Sequence, residues 1–119
     1  MCGLTANCED NVQGFIGDDV LLPCVYRGGV PLSDDVDVYW RDKDDKNVLN
    51  IENGIQSEVS QDQIFRSRVR GFPDQYQKRN FSIILKNLQQ SDGGPYDCHI
   101  PKVEFSHRVQ LNVKGLYAS

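Results

Sequence analysis

Cys24 and Cys98 stand 74 residues apart, with the chain's one tryptophan, Trp40, between them and Tyr96 two places ahead of the second cysteine. Each lies in a stretch of period two. In Val20-Leu21-Leu22-Pro23-Cys24, the residues Val20, Leu22 and Cys24 share one face. In Val36-Asp37-Val38-Tyr39-Trp40-Arg41, Val36, Val38 and Trp40 face one way and Asp37, Tyr39 and Arg41 the other. Tyr96, Cys98 and Ile100 share a face as well. Strict alternation is the mark of a strand with one buried side, because successive Cβ atoms point to opposite faces. Cys2 and Cys8 bring the cysteines to four, a count that allows three pairings.

The rest of the chain repeats this pattern at short intervals. Asn47 to Glu52 is a weaker strand, Gln56 to Ser60 a short edge strand, and Arg66 to Val69 another. Phe81, Ile83 and Leu85 alternate, as do Val109, Leu111 and Val113. Turn residues separate these runs at Gly17-Asp18-Asp19, Gly28-Gly29, Asn53-Gly54 and Gly93-Gly94-Pro95. No segment holds a helical period. Many short strands of this spacing predict an all-β antiparallel sandwich or barrel.

A chain of 119 residues suits one domain. Its 13 basic and 17 acidic residues give a net charge of −4, which argues against a nucleic-acid partner or an anionic membrane surface. No apolar run reaches the length needed to span a bilayer, so membrane insertion by this fragment is not expected. An even cysteine count points to an oxidising compartment. No metal is expected: Cys2 and Cys8 are too far apart for a zinc knuckle, and His99 and His107 lie far downstream. The acidic residues Asp34, Asp35, Asp37, Asp42, Asp44 and Asp45 are interleaved with lysines and lack the glycine and distal glutamate of a calcium loop. They read as solvated turns. No phosphate loop or metalloprotease motif is present, so neither a cofactor nor catalysis is expected.

The motif Asp92-Gly93-Gly94-Pro95-Tyr96-Asp97-Cys98 resembles the D-x-G-x-Y-x-C signature of the immunoglobulin superfamily. Arg68 matches the arginine that V-type domains pair with that aspartate. The resemblance covers residues 12–114 and implies a V-type two-sheet antiparallel sandwich. An inter-sheet disulfide Cys24–Cys98 would bridge the core, with the indole of Trp40 packed on it. Closing so long a loop stabilises the fold by about 4 to 5 kcal/mol on the chain-entropy model. The Tyr96 hydroxyl would bond back to upstream backbone, and an Arg68–Asp92 ion pair would close the sandwich end. Residues 1–11 form an N-terminal segment in this reading, and residues 115–119 a linker toward a removed membrane-proximal domain. Cys2 and Cys8 have no counterpart in the pattern. A local bridge between them is preferred to an intermolecular bond or to one of them pairing with a cysteine outside residues 1–119.

Phe65-Arg66-Ser67-Arg68-Val69 leading into Phe72-Pro73-Asp74-Gln75, and the run from Asn80 to Leu88, resemble the butyrophilin and costimulatory-ligand family. That resemblance implies the ectodomain of a type I membrane glycoprotein on the extracellular side of the plasma membrane. Its partner would be a lymphocyte receptor of immunoglobulin fold, bound to tune T-cell activation. The alternative is a junctional adhesion domain that binds its own kind and doubles as a pathogen attachment site. Weak homodimerisation is compatible with either. Antigen-receptor variable domains carry a Gly-x-Gly bulge in the last strand, and Phe105 to Leu111 contains no glycine.

V-type domains bind through the outward side of the larger sheet. Here the candidates are Tyr39, Arg41, Asp97, His99 and Arg108 on strands, with Val103, Glu104 and Phe105 in the loop before the last strand. Phe105, an aromatic flanked by charge in a loop expected to be exposed, has the look of an interface anchor. Asn80-Phe81-Ser82 is a glycosylation sequon, placed away from that sheet.

Overall fold

The computed structural model describes residues 7–115. Cys2 and the side chain of Cys8 lie outside the described residues, and the bridge expected between them lies there with them.

Among the described residues, nine strands form two sheets. In chain order they are β1 (Asn7–Phe15), β2 (Val20–Leu22), β3 (Val38–Arg41), β4 (Asn47–Glu52), β5 (Ile55–Ser57), β6 (Val69–Arg70), β7 (Ile83–Leu85), β8 (Gly94–Ile100) and β9 (Phe105–Lys114). The larger sheet runs β1-β9-β8-β3-β4-β5 and the smaller β2-β7-β6. Every pair is antiparallel except β1 with β9, which is parallel. Among the described residues, β1 pairs with β9 from Asn7 onward.

The core lies between the sheets, and alternation fills it. Leu22, Val38, Trp40, Leu49, Ile51, Phe81, Ile83, Leu85, Cys98, Val109 and Leu111 are all buried. Cys24 and Cys98 form the disulfide that joins the two sheets, their Cα atoms 6.4 Å apart. Trp40 is wholly buried, and its Nε1 donates to the Phe81 carbonyl at 2.9 Å. An indole N–H taken from water must find an acceptor, and a backbone oxygen of the facing sheet supplies it. Cys24 N donates in turn to Ser82 Oγ at 2.9 Å.

The open end of the sandwich is closed by one polar knot. Arg68 donates through both terminal nitrogens to the two carboxylate oxygens of Asp92, at 3.3 Å on Oδ1 and closer on Oδ2. Asp92 Oδ2 also accepts from Gln89 N at 2.7 Å, and the Tyr96 hydroxyl donates to the Asp92 carbonyl at 2.6 Å. Burial raises the Tyr96 phenol far above its ordinary pKa, with the charge of Asp92 adding to the effect.

Two segments depart from the sequence expectation. Arg66 to Val69 is not a strand. Gln63–Phe65 makes a 3-10 turn and Ser67 takes a left-handed φ of 66°, so pairing begins only at Val69. The edge strand β5 starts at Ile55 rather than Gln56, because Asn53-Gly54 is a two-residue hairpin turn with φ of 55° and 77°. That turn type needs both central residues in the left-handed region and sets the register of the strands it joins. Gly54 has a second reason to be glycine: a Cβ there would sit 2.1 Å from the Asp34 carbonyl.

Candidate protein-binding face

The register of the larger sheet decides which side chains share its outward side. Trp40 pairs with Cys98 and both point inward, so their neighbours Arg41 with Asp97 and Tyr39 with His99 point out. Asp97 pairs onward with Arg108 and His99 with Ser106, and Arg108 pairs with Glu9. One row therefore reads Glu9, Arg108, Asp97, Arg41 across four strands, alternating in sign. The next row carries Ser106, His99, Tyr39, Asn50 and Ser57 across five.

Three of the charges in the first row, Arg108, Asp97 and Arg41, are held by neighbours. Arg108 clasps Asp97 with Nε on Oδ1 at 2.8 Å and Nη2 on Oδ2 at 3.0 Å. That hydrogen bond holds the Arg108 pKa above its ordinary value, with the Asp97 charge and then Glu9 adding to it. Arg41 donates to Asn50 Oδ1 at 2.7 Å and to its neighbour's carbonyl, Trp40 O, at 3.0 Å. Its guanidinium lies over the Tyr39 ring, 5.1 Å from the centroid, a cation–π contact. Partial burial lowers the Arg41 pKa, opposed by Asp45, Tyr39 and Glu52, and the residue stays charged at neutral pH. His99 is exposed, with Nδ1 donating to the Phe105 carbonyl at 3.1 Å.

Apolar surface lies at one margin of this face. Ile55, on the edge strand, is 71% exposed, and Val59 just beyond it is exposed too. The strand beneath, β4, is buried on both sides at Val48, Leu49, Asn50 and Ile51. The segment after β5 folds back over it: Asp62 N donates to Asn47 O at 2.8 Å, Gln61 Nε2 to Val48 O at 3.0 Å and Asn50 Nδ2 to Ser60 Oγ at 2.8 Å. The margin is thereby held in place.

Phe105 requires a correction. It is not an exposed loop residue but the first residue of β9, 7% exposed and part of the core. Its ring stacks parallel to His107 at 6.5 Å between centroids, and His107 Nε2 donates to Asp10 Oδ2 at 2.9 Å. Alternation places residues 105, 107 and 109 inward together, which a loop reading of Phe105 overlooks. Val103 is half-buried and packs against the core with the rest of its side chain at the surface. Pro101–Val103 forms a 3-10 turn capped by Glu104 at φ 53°, which leaves Lys102 and Glu104 at the tip. Glu9 and Ile55 are the residues the sequence reading missed. Glu9 joins the face only through the parallel β1–β9 pairing, which has no local signal. Ile55 follows from the Asn-Gly turn, whose register puts it on the same side as Ser57 and Asn50. Of the acidic residues, Asp42 caps the turn between β3 and β4, its Oδ1 accepting from Asp44 N and Lys46 N, both at 2.9 Å.

The comparisons with known proteins agree with this architecture. The sequence model of the immunoglobulin V-set domain matches residues 9–114. Human V-set domain-containing T-cell activation inhibitor 1 is 36% identical over 87 residues, covering 73% of this chain and 31% of that protein. The crystal structure of the human B7-H4 IgV-like domain superposes with a TM-score of 0.73 at 30% identity, covering 87% of this chain and 90% of that one. A crystal structure of ICOS in complex with ICOS-L and an anti ICOS-L VNAR domain gives 0.73 at 26% identity, covering 88% of this chain and 54% of that one. The B7-H4 IgV-like domain is more similar by identity than the matched chain of that complex, 30% against 26%. The chain spans about a third of the length of the curated relatives it matches. With the disulfide, the tryptophan, the Arg68–Asp92 pair and the nine-strand topology in place, the chain belongs to the immunoglobulin V-set family.

Proposed function

We propose that this domain binds an immunoglobulin-fold receptor on a T cell through the outward face of the larger sheet, and so tunes T-cell activation from the extracellular side of the plasma membrane. The chain is a recognition domain and not an enzyme. The observation that carries the reading is the composition of that face. Arg108 and Asp97 are paired with each other and Arg41 is held by Asn50 and the Tyr39 ring, while Tyr39 and Ile55 offer apolar area to desolvate. The names of the relatives support the T-cell setting. The contacts assigned to the receptor are Tyr39, Arg41, Asp97, His99, Glu104 and Arg108, joined by Glu9 and Ile55.

A screen of the oligomerised domain against T-cell receptors of immunoglobulin fold tests it. Tyr39→Ala, Ile55→Asp and Arg108→Glu should each weaken binding by about tenfold or more, a loss of about 1.4 kcal/mol or more, with the fold intact by circular dichroism. Leu21→Asp, on the opposite sheet, should bind as the parent does. Absence of any receptor signal, or loss only with Leu21→Asp, would reject the face.

A second reading rests on the same row of charges. Read backwards, the series Glu9, Arg108, Asp97, Arg41 is its own complement. A second copy, turned about a two-fold axis lying between the faces and perpendicular to the row, sets Glu9 against Arg41 and Arg108 against Asp97. Isologous contacts need this kind of self-complementarity. Sedimentation equilibrium distinguishes the readings: self-association weakened by Arg108→Glu supports an adhesion dimer, and a monomer at high concentration removes it.

A further inference from the structure

A cavity of about 140 Å³ opens beside the β4–β5 turn. Its lining comes from stretches far apart in the chain: Asp34 and Val36 ahead of β3, Gly54 in the turn itself, Tyr76 on the 3-10 turn Pro73–Lys78, and Arg79 at the end of that turn. The cavity beside Asp92 and Tyr96, at about 10 Å³, holds one water at most.

Main-chain contacts hold the larger cavity open. Arg79 takes a left-handed φ of 63°, a conformation that few side chains adopt. Its N–H donates to the Tyr76 carbonyl at 3.0 Å and its own carbonyl accepts from Tyr26 N at 2.9 Å. Its Nη2 donates to the Leu32 carbonyl. On the facing side, Gly54 N donates to the Val36 carbonyl at 2.9 Å and Asn53 N to Asp37 Oδ1 at 2.8 Å. A residue kept in a rare conformation by its surroundings points to a use for its side chain.

Asp34 and Arg79 line this one cavity, yet they form no ion pair with each other among the described residues. The Asp34 side chain is exposed and accepts no hydrogen bond there. Arg79 uses Nη2 on Leu32, which leaves Nε and Nη1 without a partner among the described residues, and neither is sealed from solvent. A lone anion would meet the Asp34 charge, and a lone cation the Arg79 charge. A molecule that carries a carboxylate and an ammonium group satisfies both, with the carboxylate on the guanidinium fork. Val36 and the Tyr76 ring, both buried, supply an apolar wall. The volume is well under the about 300 Å³ at which drug-sized sites begin, so the ligand is small.

We infer that this cavity binds a free α-amino acid with a short aliphatic side chain, its carboxylate on Arg79 and its ammonium group on Asp34. The bound molecule ties the segment ahead of β3 to the 3-10 turn. It also braces Gly54, the residue whose turn positions Ile55. None of the residues assigned to the receptor lines the cavity, so the two sites are separate.

The test is a titration of the full, isotope-labelled chain with L-valine, followed through its amide resonances. Acetate and methylammonium, at matched ionic strength, serve as the one-charge probes. Valine should shift the amides of Gly54, Tyr76 and Arg79 and saturate at about millimolar concentration. Each one-charge probe should bind about tenfold more weakly or worse. Asp34→Asn alters a side chain that makes no hydrogen bond among the described residues, so the fold should stand while valine binding weakens about tenfold. Arg79→Lys keeps the charge, loses the fork and should weaken it as well. No shift up to about 50 mM valine, or shifts confined to the larger sheet, would overturn the site. Acetate binding as tightly as valine, or Asp34→Asn binding as the parent does, would overturn recognition by two charges. The titration involves no receptor, so failure of the receptor reading would leave it unchanged.

Discussion

Phe105 meets Tyr26 edge to face, with ring centroids 5.2 Å apart and planes at 89°. The contact ties the first residue of β9 to the loop that follows β2, and the Tyr26 hydroxyl is anchored in turn on the Val30 carbonyl at 2.6 Å. Phe105→Ala should therefore act on stability. Removing a buried phenylalanine costs about 3 to 5 kcal/mol, of which the aromatic pair contributes about 0.5 to 1.5. Urea unfolding of the variant checks this. A loss under about 1 kcal/mol would return Phe105 to the surface.

Asp92 should be the most sensitive charged residue. It is buried, accepts twice from Arg68 and once from Gln89 N, and sits beneath the Tyr96 hydroxyl bond. Asp92→Ala leaves a largely buried guanidinium without its counter-ion, held only by the carbonyls of Ile64, Lys86 and Asn87, and a backbone N–H without its acceptor, a loss of about 3 to 5 kcal/mol. Thermal unfolding reads it directly.

The Arg108–Asp97 pair should behave in the opposite way, although its geometry is bidentate. Both side chains are open to solvent, with relative exposures of 51% and 34%. A double-mutant cycle on stability should give a coupling within about 1 kcal/mol, smaller still in high salt. The same variants are expected to change receptor association. A stability coupling well above that range would place the pair in the fold rather than on the binding face.

Tyr76 provides a pH test. Burial pushes its phenol up to about 12, above the ordinary tyrosine value of about 10. The folded state holds the proton more tightly than the unfolded chain. The contribution is complete below pH 10 and is lost as pH rises toward 12. Unfolding free energy should fall over that interval, and Tyr76→Phe should flatten the fall. An identical alkaline profile for parent and variant would contradict the burial of this hydroxyl.

Gly54→Ala should destabilise by about 2 kcal/mol or more. It forces a side chain into a φ of 77° and against the Asp34 carbonyl. Because Gly54 sets the position of β5, the variant should also displace Ile55 and weaken receptor binding. Unfolding and binding measured on one preparation separate the two effects.

What the sequence determined by itself is the half of the problem written in local period and in motif. Alternation around Cys24, Trp40 and Cys98 implied strands with one buried side. The D-x-G-x-Y-x-C signature implied the sandwich, its disulfide and the role of Arg68. These are legible because a strand must turn every second residue to the core, whatever its neighbours are. What the tertiary structure alone decided is which strands lie side by side. Glu9 enters the binding face only because β1 runs parallel to β9. Phe105 leaves it because β9 already begins at Phe105, and the inward alternation of Val109 and Leu111 extends back through His107 to it. Val48 is buried because a register slip between Trp40 and Arg41 and the folded-back segment around Ser60 cover it. Pairing between distant strands leaves no periodic trace in either one. The outline of the fold was therefore readable from the chain, and the composition of its surface was not.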